Sequence, residues 1–281
     1  MSDANFLFYN GKISKTGKPL ILPDNRSFRY GDGFFETMKM ENGKIRLAAY
    51  HFERLFSSLE KLKFQQPVYF TPEYLTEYIE QLARKNFHHK LARIRLTIFR
   101  GEGSLYEVAN HFPHHLIQTW ALNPAHNHLN ENGLDLGLFR EARKVCDGYS
   151  QIKSNNYLSY AMAAIWAKEQ KLNDALLLNP YDRVAESTIA NVFLVKDGMI
   201  KTPAITEGPV NGVMRRHLLH IMRNENMPVE ETQVSYEDLE QASEIFLSNA
   251  IYGIRWVKRL DKNEYSQQLA SVLFKKINTM P

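Results

Sequence analysis

Two polar residues indicate a specific chemistry when they are considered together. Lys153 lies in the run Gln151–Tyr160, and Glu186 lies further along in the run Val184–Phe193. A lysine amine can form a Schiff base with an aldehyde cofactor. A carboxylate beside a pyridine nitrogen keeps that nitrogen protonated, so the ring can accept electrons from a substrate carbanion. The pair therefore predicts pyridoxal phosphate chemistry, whereas either residue alone would indicate little.

Three segments offer donors for a cofactor phosphate. Arg54 is predicted to lie off the apolar stripe of its helix, where its forked guanidinium could bind phosphate oxygens. In Asn211–Arg215 a glycine opens a helix whose first amides lack backbone partners. In Leu247–Ala250, after the apolar strand Glu244–Leu247, small polar side chains and amides could close an anion pocket. On local sequence alone, a solvated arginine and an ordinary helix start are the simpler explanations of the first two segments, and a plain turn explains the third equally well.

Composition excludes several classes of protein. The 281 residues are 44% hydrophobic, which is enough for one large domain or two modest ones, and the net charge of +4 is mild and dispersed. That charge suits a phosphorylated cofactor or a polycarboxylate substrate, and it equally suits a solvated surface. The single cysteine, Cys146, excludes an intrachain disulfide framework.

Other partners have little support in the sequence. The adjacent pairs His88-His89 and His114-His115 do not have zinc-ligand spacing, so we interpret these histidines as surface residues and expect no metal site. We also expect no nucleic-acid partner, because no basic stripe or RNA-binding pattern accompanies the aromatic residues. No apolar run approaches ~20 residues, and no basic-then-apolar leader is visible. These features predict a soluble, cytoplasmic protein without a membrane partner.

The pattern of turns and periodicities predicts an α+β fold. Asn10-Gly11, Asn42-Gly43 and Asp197-Gly198 each separate β-prone runs, which is typical of tight hairpins. Alternation over residues 91–99 predicts a strand with one buried face. Helical periodicity predicts four amphipathic helices, over residues 51–63, 72–86, 157–171 and 213–226.

A polar, turn-rich stretch divides the chain. Residues 123–132 have no periodicity, so we predict a linker there. It separates a smaller N-terminal α+β domain, residues 1–122, from a larger C-terminal α+β domain, residues 133–281, which carries Lys153.

Taken together, the motifs resemble the class IV, or fold type IV, pyridoxal phosphate enzymes. This family includes branched-chain aminotransferases, D-amino acid aminotransferases and 4-amino-4-deoxychorismate lyase. The resemblance covers nearly the whole chain, and several ordered motifs at family-like spacing are more specific than any one of them. They are Tyr30–Thr37, His51–Leu55, Arg100-Gly101, Lys153, Glu186 with Ala190–Phe193, Asn211–Arg215 and Ser248–Ala250.

The resemblance implies a fold, a cofactor and a set of roles. The fold would be the two-domain, D-amino acid aminotransferase-like fold with pyridoxal 5'-phosphate between the domains. Lys153 would form the Schiff base and Glu186 would partner the pyridine nitrogen. The phosphate ligands would be Arg54, the backbone of Val213 and Met214, Ser248 and Asn249. Family members are usually homodimers that share active-site residues and act on a small amino substrate, and we predict substrate contacts from Tyr30, Phe35, Arg100 and Tyr157.

Details within the motifs favour the lyase, which converts 4-amino-4-deoxychorismate to 4-aminobenzoate and pyruvate in folate biosynthesis. D-amino acid aminotransferases have a tyrosine where this chain has Phe35, and branched-chain aminotransferases have a glycine-rich segment where it has Ser154–Asn156. The Asn211–Arg215 and Ser248–Ala250 segments resemble those of the lyase more closely. The lyase substrate carries two carboxylates, which suits a basic residue such as Arg100.

Other functions stay open. The first alternative is an aminotransferase that acts on branched-chain L-amino acids or D-amino acids with 2-oxoglutarate. A non-catalytic pyridoxal phosphate binder and a plain interaction protein with chance motif matches are further alternatives, since function depends on the site and not on the fold.

Overall fold

A computed structural model describes residues 5–106 and 110–279. Its α-helices are α1 (Arg26–Tyr30), α2 (Ala48–Lys61), α3 (Pro72–Lys85), α4 (Leu158–Glu169), α5 (Val213–Asn224), α6 (Tyr236–Glu240) and α7 (Gln268–Thr279). Its strands are β1 (Phe6–Tyr9), β2 (Lys12–Lys15), β3 (Gly33–Glu41), β4 (Lys44–Ile45), β5 (Leu91–Phe99), β6 (His114–Ala121), β7 (Leu134–Arg143), β8 (Asp174–Leu178), β9 (Val184–Ser187), β10 (Asn191–Lys196), β11 (Met199–Pro203), β12 (Val229–Thr232), β13 (Glu244–Asn249), β14 (Gly253–Leu260) and β15 (Asn263–Glu264).

The chain divides into two compact units. The first unit comprises Met1–His126 and Lys153–Asn156, and the second comprises Asn127–Ile152 and Tyr157–Pro281. The break after His126 falls inside the predicted linker, which contains a short 3-10 helix at Pro124–Asn127. The sequence prediction assigned Lys153 to the C-terminal domain, whereas the structure groups it with the first unit. The reason is backbone pairing, because the Phe35 N–H donates to the Lys153 carbonyl at 2.9 Å.

The first unit is built on a six-stranded antiparallel sheet in the order β2-β1-β6-β5-β3-β4. β5 has the predicted bounds, and its side chains Ala92, Ile94, Leu96 and Ile98 are fully buried on one face. Helix α2 contacts β3, and helix α3 contacts β1 and β6. Successive strand residues point to opposite faces, so the buried side chains of β5 share one face of this sheet.

The second unit contains a nine-stranded mixed sheet. Its order is β12-β11-β10-β13-β14-β7-β8-β9, and β15 pairs with β14. The pairs β7–β8, β7–β14 and β11–β12 are parallel. Leucine, isoleucine and valine side chains from six strands and from α6 belong to one buried cluster. Antiparallel and parallel strands mixed with helices confirm the predicted α+β class.

Most local predictions are confirmed. Each predicted hairpin turn has positive φ at both central residues, for example 44° at Asn10 and 87° at Gly11, as a type I′ turn requires. The four predicted helices correspond to α2, α3, α4 and α5, with ends shifted by a few residues. Among the described residues, no helix is both long and apolar enough to cross a membrane.

The prediction of surface histidines is wrong at two positions. His88 and His115 are 3% and 2% exposed. His115 lies on the same face of β6 as Ile117 and Thr119, and its Nε2 is 3.1 Å from the Tyr74 hydroxyl. Burial lowers the pKa of His115 to about 4. The error came from considering each histidine pair as a unit, because alternation along β6 sends His114 and His115 to opposite faces.

Candidate active site

The predicted site residues fall into two groups, one in each unit. In the first unit, Lys153 is held by its backbone against the start of β3. The Asn155 N–H donates to the Gly33 carbonyl at 2.9 Å, and Ser154 forms an isolated bridge with Phe34. A Cβ on Gly33 would lie 2.5 Å from the carbonyl oxygen of Ile98, so only glycine permits this close approach. The lysine is thereby fixed to a rigid strand.

The Lys153 amine lies beside an aromatic ring. Its Nζ is 4.8 Å from the centroid of the Phe35 ring, and the Arg95 guanidinium carbon is 3.7 Å from the same centroid. A ring face attracts both cations. Phe35 offers no hydroxyl here, which is the difference from D-amino acid aminotransferases that the sequence indicated.

Arg54 lies in a buried charge network and not on the solvated side of α2. It is 9% exposed, and it donates to Glu36 through Nε at 2.7 Å and Nη2 at 2.6 Å. His51 Nδ1 is 2.7 Å from the same carboxylate. The structure contradicts the alternative of a solvated arginine, because Glu36 on the neighbouring strand offsets the cost of burying the Arg54 charge. Its role as a phosphate ligand stays a prediction.

Neighbouring groups keep the Glu36 carboxylate ionised. Burial raises the pKa of Glu36, but the charge of Arg54 and the hydrogen bond from His51 outweigh it and lower that pKa to about 2. Burial lowers the pKa of His51, and the Lys153 charge contributes to that lowering. Glu36 is thus a carboxylate that orients the Arg54 guanidinium.

Arg100 is engaged within the first unit. Its Nη1 donates to Asp32 at 2.6 Å, its Nε donates to His111 Nδ1 at 3.1 Å, and its Nη2 donates to the Leu62 carbonyl. Its guanidinium also stacks over the Phe64 ring. All three guanidinium nitrogens are occupied, so the structure favours a structural role over the predicted substrate contact. Tyr30 ends α1, and Arg29 lies 5.2 Å from its ring.

In the second unit, Glu186 on β9 is 3% exposed and accepts three hydrogen bonds. Its Oε1 accepts from the Tyr160 hydroxyl at 2.5 Å and from the Val210 N–H at 3.1 Å. Its Oε2 accepts from Asn191 Nδ2 at 3.3 Å. Burial and the nearby Glu186 charge raise the pKa of Tyr160, which keeps its hydroxyl a donor. The arrangement can hold a protonated ring nitrogen with a fixed carboxylate.

Sequence reasoning missed Tyr160 and Asn191 as site residues. Tyr160 lies three residues after Tyr157, whose ring stacks on it at 4.4 Å and whose own hydroxyl donates to the Thr188 carbonyl. Helical spacing within Tyr157–Lys171 was the available signal for Tyr160. Asn191 lay within a quoted motif, but its contacts with Glu186 and with the Val210 carbonyl depend on the fold.

The start of α5 has the features of an anion site. Gly212 is its N-cap, and no side chain caps the helix. The first-turn residues Val213 and Met214 are 2% and 5% exposed, and their amides lie at the positive end of the helix dipole. A Cβ on Gly212 would lie 1.8 Å from Asn191 Oδ1, so the glycine allows Asn191 to lie against the helix start.

Ser248 and Asn249 lie at the end of β13, not after the strand as predicted. Ser248 pairs with Asn191 in register, and α5 contacts β13. The Ser248 Oγ is buried and has no hydrogen-bond partner among the described residues. A buried unpaired hydroxyl is costly, so this atom beside an uncapped helix start fits a bound phosphate. The Asn249 Oδ1 instead accepts from the N–H groups of Ile251 and Tyr252.

Comparison with known proteins identifies the family. Residues 33–260 match the family described as amino-transferase class IV, so the chain belongs to it. The chain is 27% identical to an aminodeoxychorismate lyase from Vibrio harveyi, over 92% of this chain and 93% of the relative. It is also 27% identical to a D-alanine aminotransferase from Listeria monocytogenes, over 85% and 81%. A branched-chain aminotransferase from Thermoproteus uzoniensis has the same fold, with a TM-score of 0.86 at 21% identity over 97% and 93% of the two chains.

These matches define the coarse function. The protein is a class IV enzyme, and enzymes of this family depend on pyridoxal phosphate. The identities to a lyase and to an aminotransferase are equal, so overall similarity does not choose between the two reactions.

Proposed function

We propose that the protein is a 4-amino-4-deoxychorismate lyase that produces 4-aminobenzoate and pyruvate. The observation that carries this choice is the side chain beside the Lys153 amine. Phe35 lies there with no hydroxyl for a substrate carboxylate, unlike the tyrosine expected in D-amino acid aminotransferases. Asn155 and Asn156 also add polar side chains where branched-chain aminotransferases have glycines. The Asn155 side chain donates to Ser27 Oγ at 2.9 Å, and Asn156 packs against Gly31.

The proposed roles follow from the chemistry of each group. Bound pyridoxal phosphate supplies an aldehyde that captures an amine and a ring that accepts electrons. Lys153 would hold the aldehyde through its Nζ, and the same Nζ, once displaced by the substrate amine, would be the base that removes the Cα proton. Glu186 holds the proton on the ring nitrogen, and Tyr160 and Asn191 hold Glu186. In the lyase reaction the C–O bond between the ring and the enolpyruvyl group breaks, the released enolpyruvate takes up a proton to become pyruvate, and the ring, which has lost its Cα proton, becomes aromatic.

Residues at the start of α5 bind and orient the phosphate in this proposal. The Val213 and Met214 amides and the Ser248 hydroxyl donate to phosphate oxygens, and Arg54, held by Glu36, contributes positive charge. Asn249 acts through its backbone, since its side-chain oxygen is used in the following turn.

The principal alternative is an aminotransferase, which differs in the fate of one proton. Lys153 would return the Cα proton to the cofactor carbon, and hydrolysis would release a keto acid. The equal similarity to a D-alanine aminotransferase supports this alternative.

One experiment separates the candidates. The purified holoprotein is incubated with 4-amino-4-deoxychorismate, and separately with leucine or D-alanine plus 2-oxoglutarate. We expect 4-aminobenzoate and pyruvate in equal amounts in the first vessel. Glutamate in the second vessel without 4-aminobenzoate in the first would overturn the lyase proposal. It would not affect the assignment of the cofactor.

A variant tests the lysine itself. Lys153→Ala should lose the visible absorbance at about 400 nm that a lysine-bound cofactor gives, together with turnover. Lys168→Ala, an exposed lysine on α4, is the matched control and should retain both. Full absorbance without turnover on any of these substrates in the unaltered protein would instead indicate a cofactor binder.

A further inference from the structure

Asn155 lies two residues after Lys153, in the segment that pairs with the start of β3. The Phe35 N–H donates to the Lys153 carbonyl, and the Asn155 N–H donates to the Gly33 carbonyl, both at 2.9 Å. In an extended segment, side chains two residues apart point to the same face. The Asn155 and Lys153 side chains therefore share one face, and the backbone between them is bounded by two hydrogen bonds to β3.

The Asn155 side chain packs against β3 and is hydrogen-bonded to helix α1. A Cβ at Gly33 would lie 2.7 Å from Asn155 Nδ2, so glycine at this position leaves room for the amide. That Nδ2 donates to the Ser27 hydroxyl oxygen at 2.9 Å, across 128 positions of sequence. The hydrogen bond thus joins the segment that carries Lys153 to a separate element of the first unit.

Ser27 lies in a helix that is itself held in place. The Asn25 side chain caps α1 and accepts from the Ser27 N–H at 2.9 Å. Asn25 is 4% exposed, and its Nδ2 donates to the Arg100 carbonyl at 3.4 Å. The Arg26 N–H donates to the Gly101 carbonyl at 2.9 Å. Helix α1 is therefore bonded to the chain that follows β5, which makes the Ser27 hydroxyl a fixed acceptor for Asn155.

The position of the Lys153 amine depends on the backbone from which its side chain extends. A lysine side chain is a flexible four-carbon stem, so a fixed backbone limits the volume that the amine samples. An amine held close to an aldehyde has a high effective concentration, and displacement by ~1 Å can cost on the order of 100-fold. A contact that holds residues 153–155 is thus expected to affect how well Lys153 captures the cofactor.

We propose that Asn155, anchored on the Ser27 hydroxyl, is a positioning residue that fixes the approach of the Lys153 amine to the cofactor aldehyde. This inference rests on the role proposed for Lys153, and it holds for either the lyase or the aminotransferase reaction. Asn155 acts through Lys153 and takes no part in proton transfer.

Competition with a free amine tests the proposal. The holoprotein is titrated with methylamine, and borohydride then attaches the cofactor permanently to whichever amine holds it. Protein and peptide masses give the fraction that stays on Lys153. In Asn155→Ala, half-displacement should need roughly tenfold less methylamine, because a loosely held lysine has a lower effective concentration. Asn224→Ala, an exposed position at the end of α5, is the matched control and should equal the unaltered protein.

Variants of the two partners separate positioning from a general loss of structure. Ser27→Ala should lower the half-displacement concentration by the same factor, and the double variant should lower it no further, since each change removes one shared hydrogen bond. In Asn155→Asp the new carboxylate can accept from the Ser27 hydroxyl and should restore most of the unaltered value. With a substrate that turns over, Asn155→Ala should lower kcat with little change in KM.

The outcomes distinguish this proposal from the role of Lys153 itself. An unchanged half-displacement concentration in Asn155→Ala would overturn the proposal and leave Lys153 as the cofactor lysine. A loss in Asn155→Ala that Ser27→Ala does not share would also overturn it, because the effect would not come from their contact. A cofactor attached elsewhere than Lys153 in the unaltered protein would reject the lysine assignment and this inference with it.

Discussion

At the scale of single residues, the Glu186 carboxylate is tightly constrained. Three donors converge on it, from a tyrosine, an asparagine and a backbone amide. These donors fix the positions of both carboxylate oxygens. A residue held this firmly can keep a proton on a neighbouring ring nitrogen without moving.

Glu186→Gln should retain the cofactor and lower turnover on the order of 100-fold, because a neutral amide no longer stabilises the charged ring in the transition state. Cofactor content from absorbance and single-turnover rates measure the two effects separately. Glu169→Gln, an exposed position on α4, is the control and should be unaffected. Turnover unchanged in Glu186→Gln would count against its role as the nitrogen partner.

Glu36 predicts a dependence of stability on pH. Its pKa is about 2 in the folded protein and 4.5 as the ordinary value, so its stabilisation is complete above pH 4.5 and is lost as the pH falls toward 2. The loss should be on the order of 3 kcal/mol. Urea unfolding followed across this range should show a steeper acid dependence for the unaltered protein than for Glu36→Gln. Identical slopes would contradict the network described for Glu36, His51 and Arg54.

At the scale of elements, the sequence predicted what local rules determine. The Asn-Gly and Asp-Gly pairs specified three hairpins, because their φ values suit type I′ turns. The alternation of β5 gave its bounds. The burial of Arg54 was not predictable in this way, since its partner Glu36 lies on a different element and becomes a neighbour only in the folded sheet. The grouping of Lys153 with the first unit likewise depends on a long-range pairing with Phe35.

In the candidate site, too, local sequence predicted single residues but not the contacts between different elements. The motif around Glu186 located the carboxylate, but the donors Tyr160, Asn191 and Val210 come from a helix, another strand and a loop. The ion pair of Arg100 was not predictable either, because its acid partner, Asp32, precedes it by 68 residues. Spacing rules detect partners within one element and do not detect these.

The start of α5 gives a prediction at this scale. Gly212→Ala should weaken pyridoxal phosphate binding at least about tenfold, because the new Cβ would displace Asn191 and with it the helix start. The dissociation constant can be measured by fluorescence titration of the apoprotein. Gly148→Ala is the control, since a Cβ there meets nothing within 4 Å. Equal affinities for pyridoxal phosphate in the two variants would show that the start of α5 does not bind the phosphate.

At the scale of the whole molecule, we expect a homodimer. Leu158, Met162 and Ile165 form an exposed apolar stripe along α4, with 75%, 44% and 50% of their surfaces accessible. Apolar stripes of this kind usually mark interaction sites. Sedimentation should give about twice the chain mass of 32.7 kDa. The double variant Met162→Glu and Ile165→Glu should sediment as a monomer. The control Val272→Glu on α7 should sediment as a dimer. A monomeric unaltered protein would refute the expectation.

The return of residues 153–156 to the first unit has a consequence for biogenesis. A ribosome releases residues 1–126 well before the four residues that complete the edge of β3. The start of β3 can therefore pair with residues 153–156 only after that later segment has been synthesised. Pairing between segments distant in sequence slows folding. The two halves are not interchangeable modules, because a gene divided after His126 would separate Lys153 from the strand that holds it.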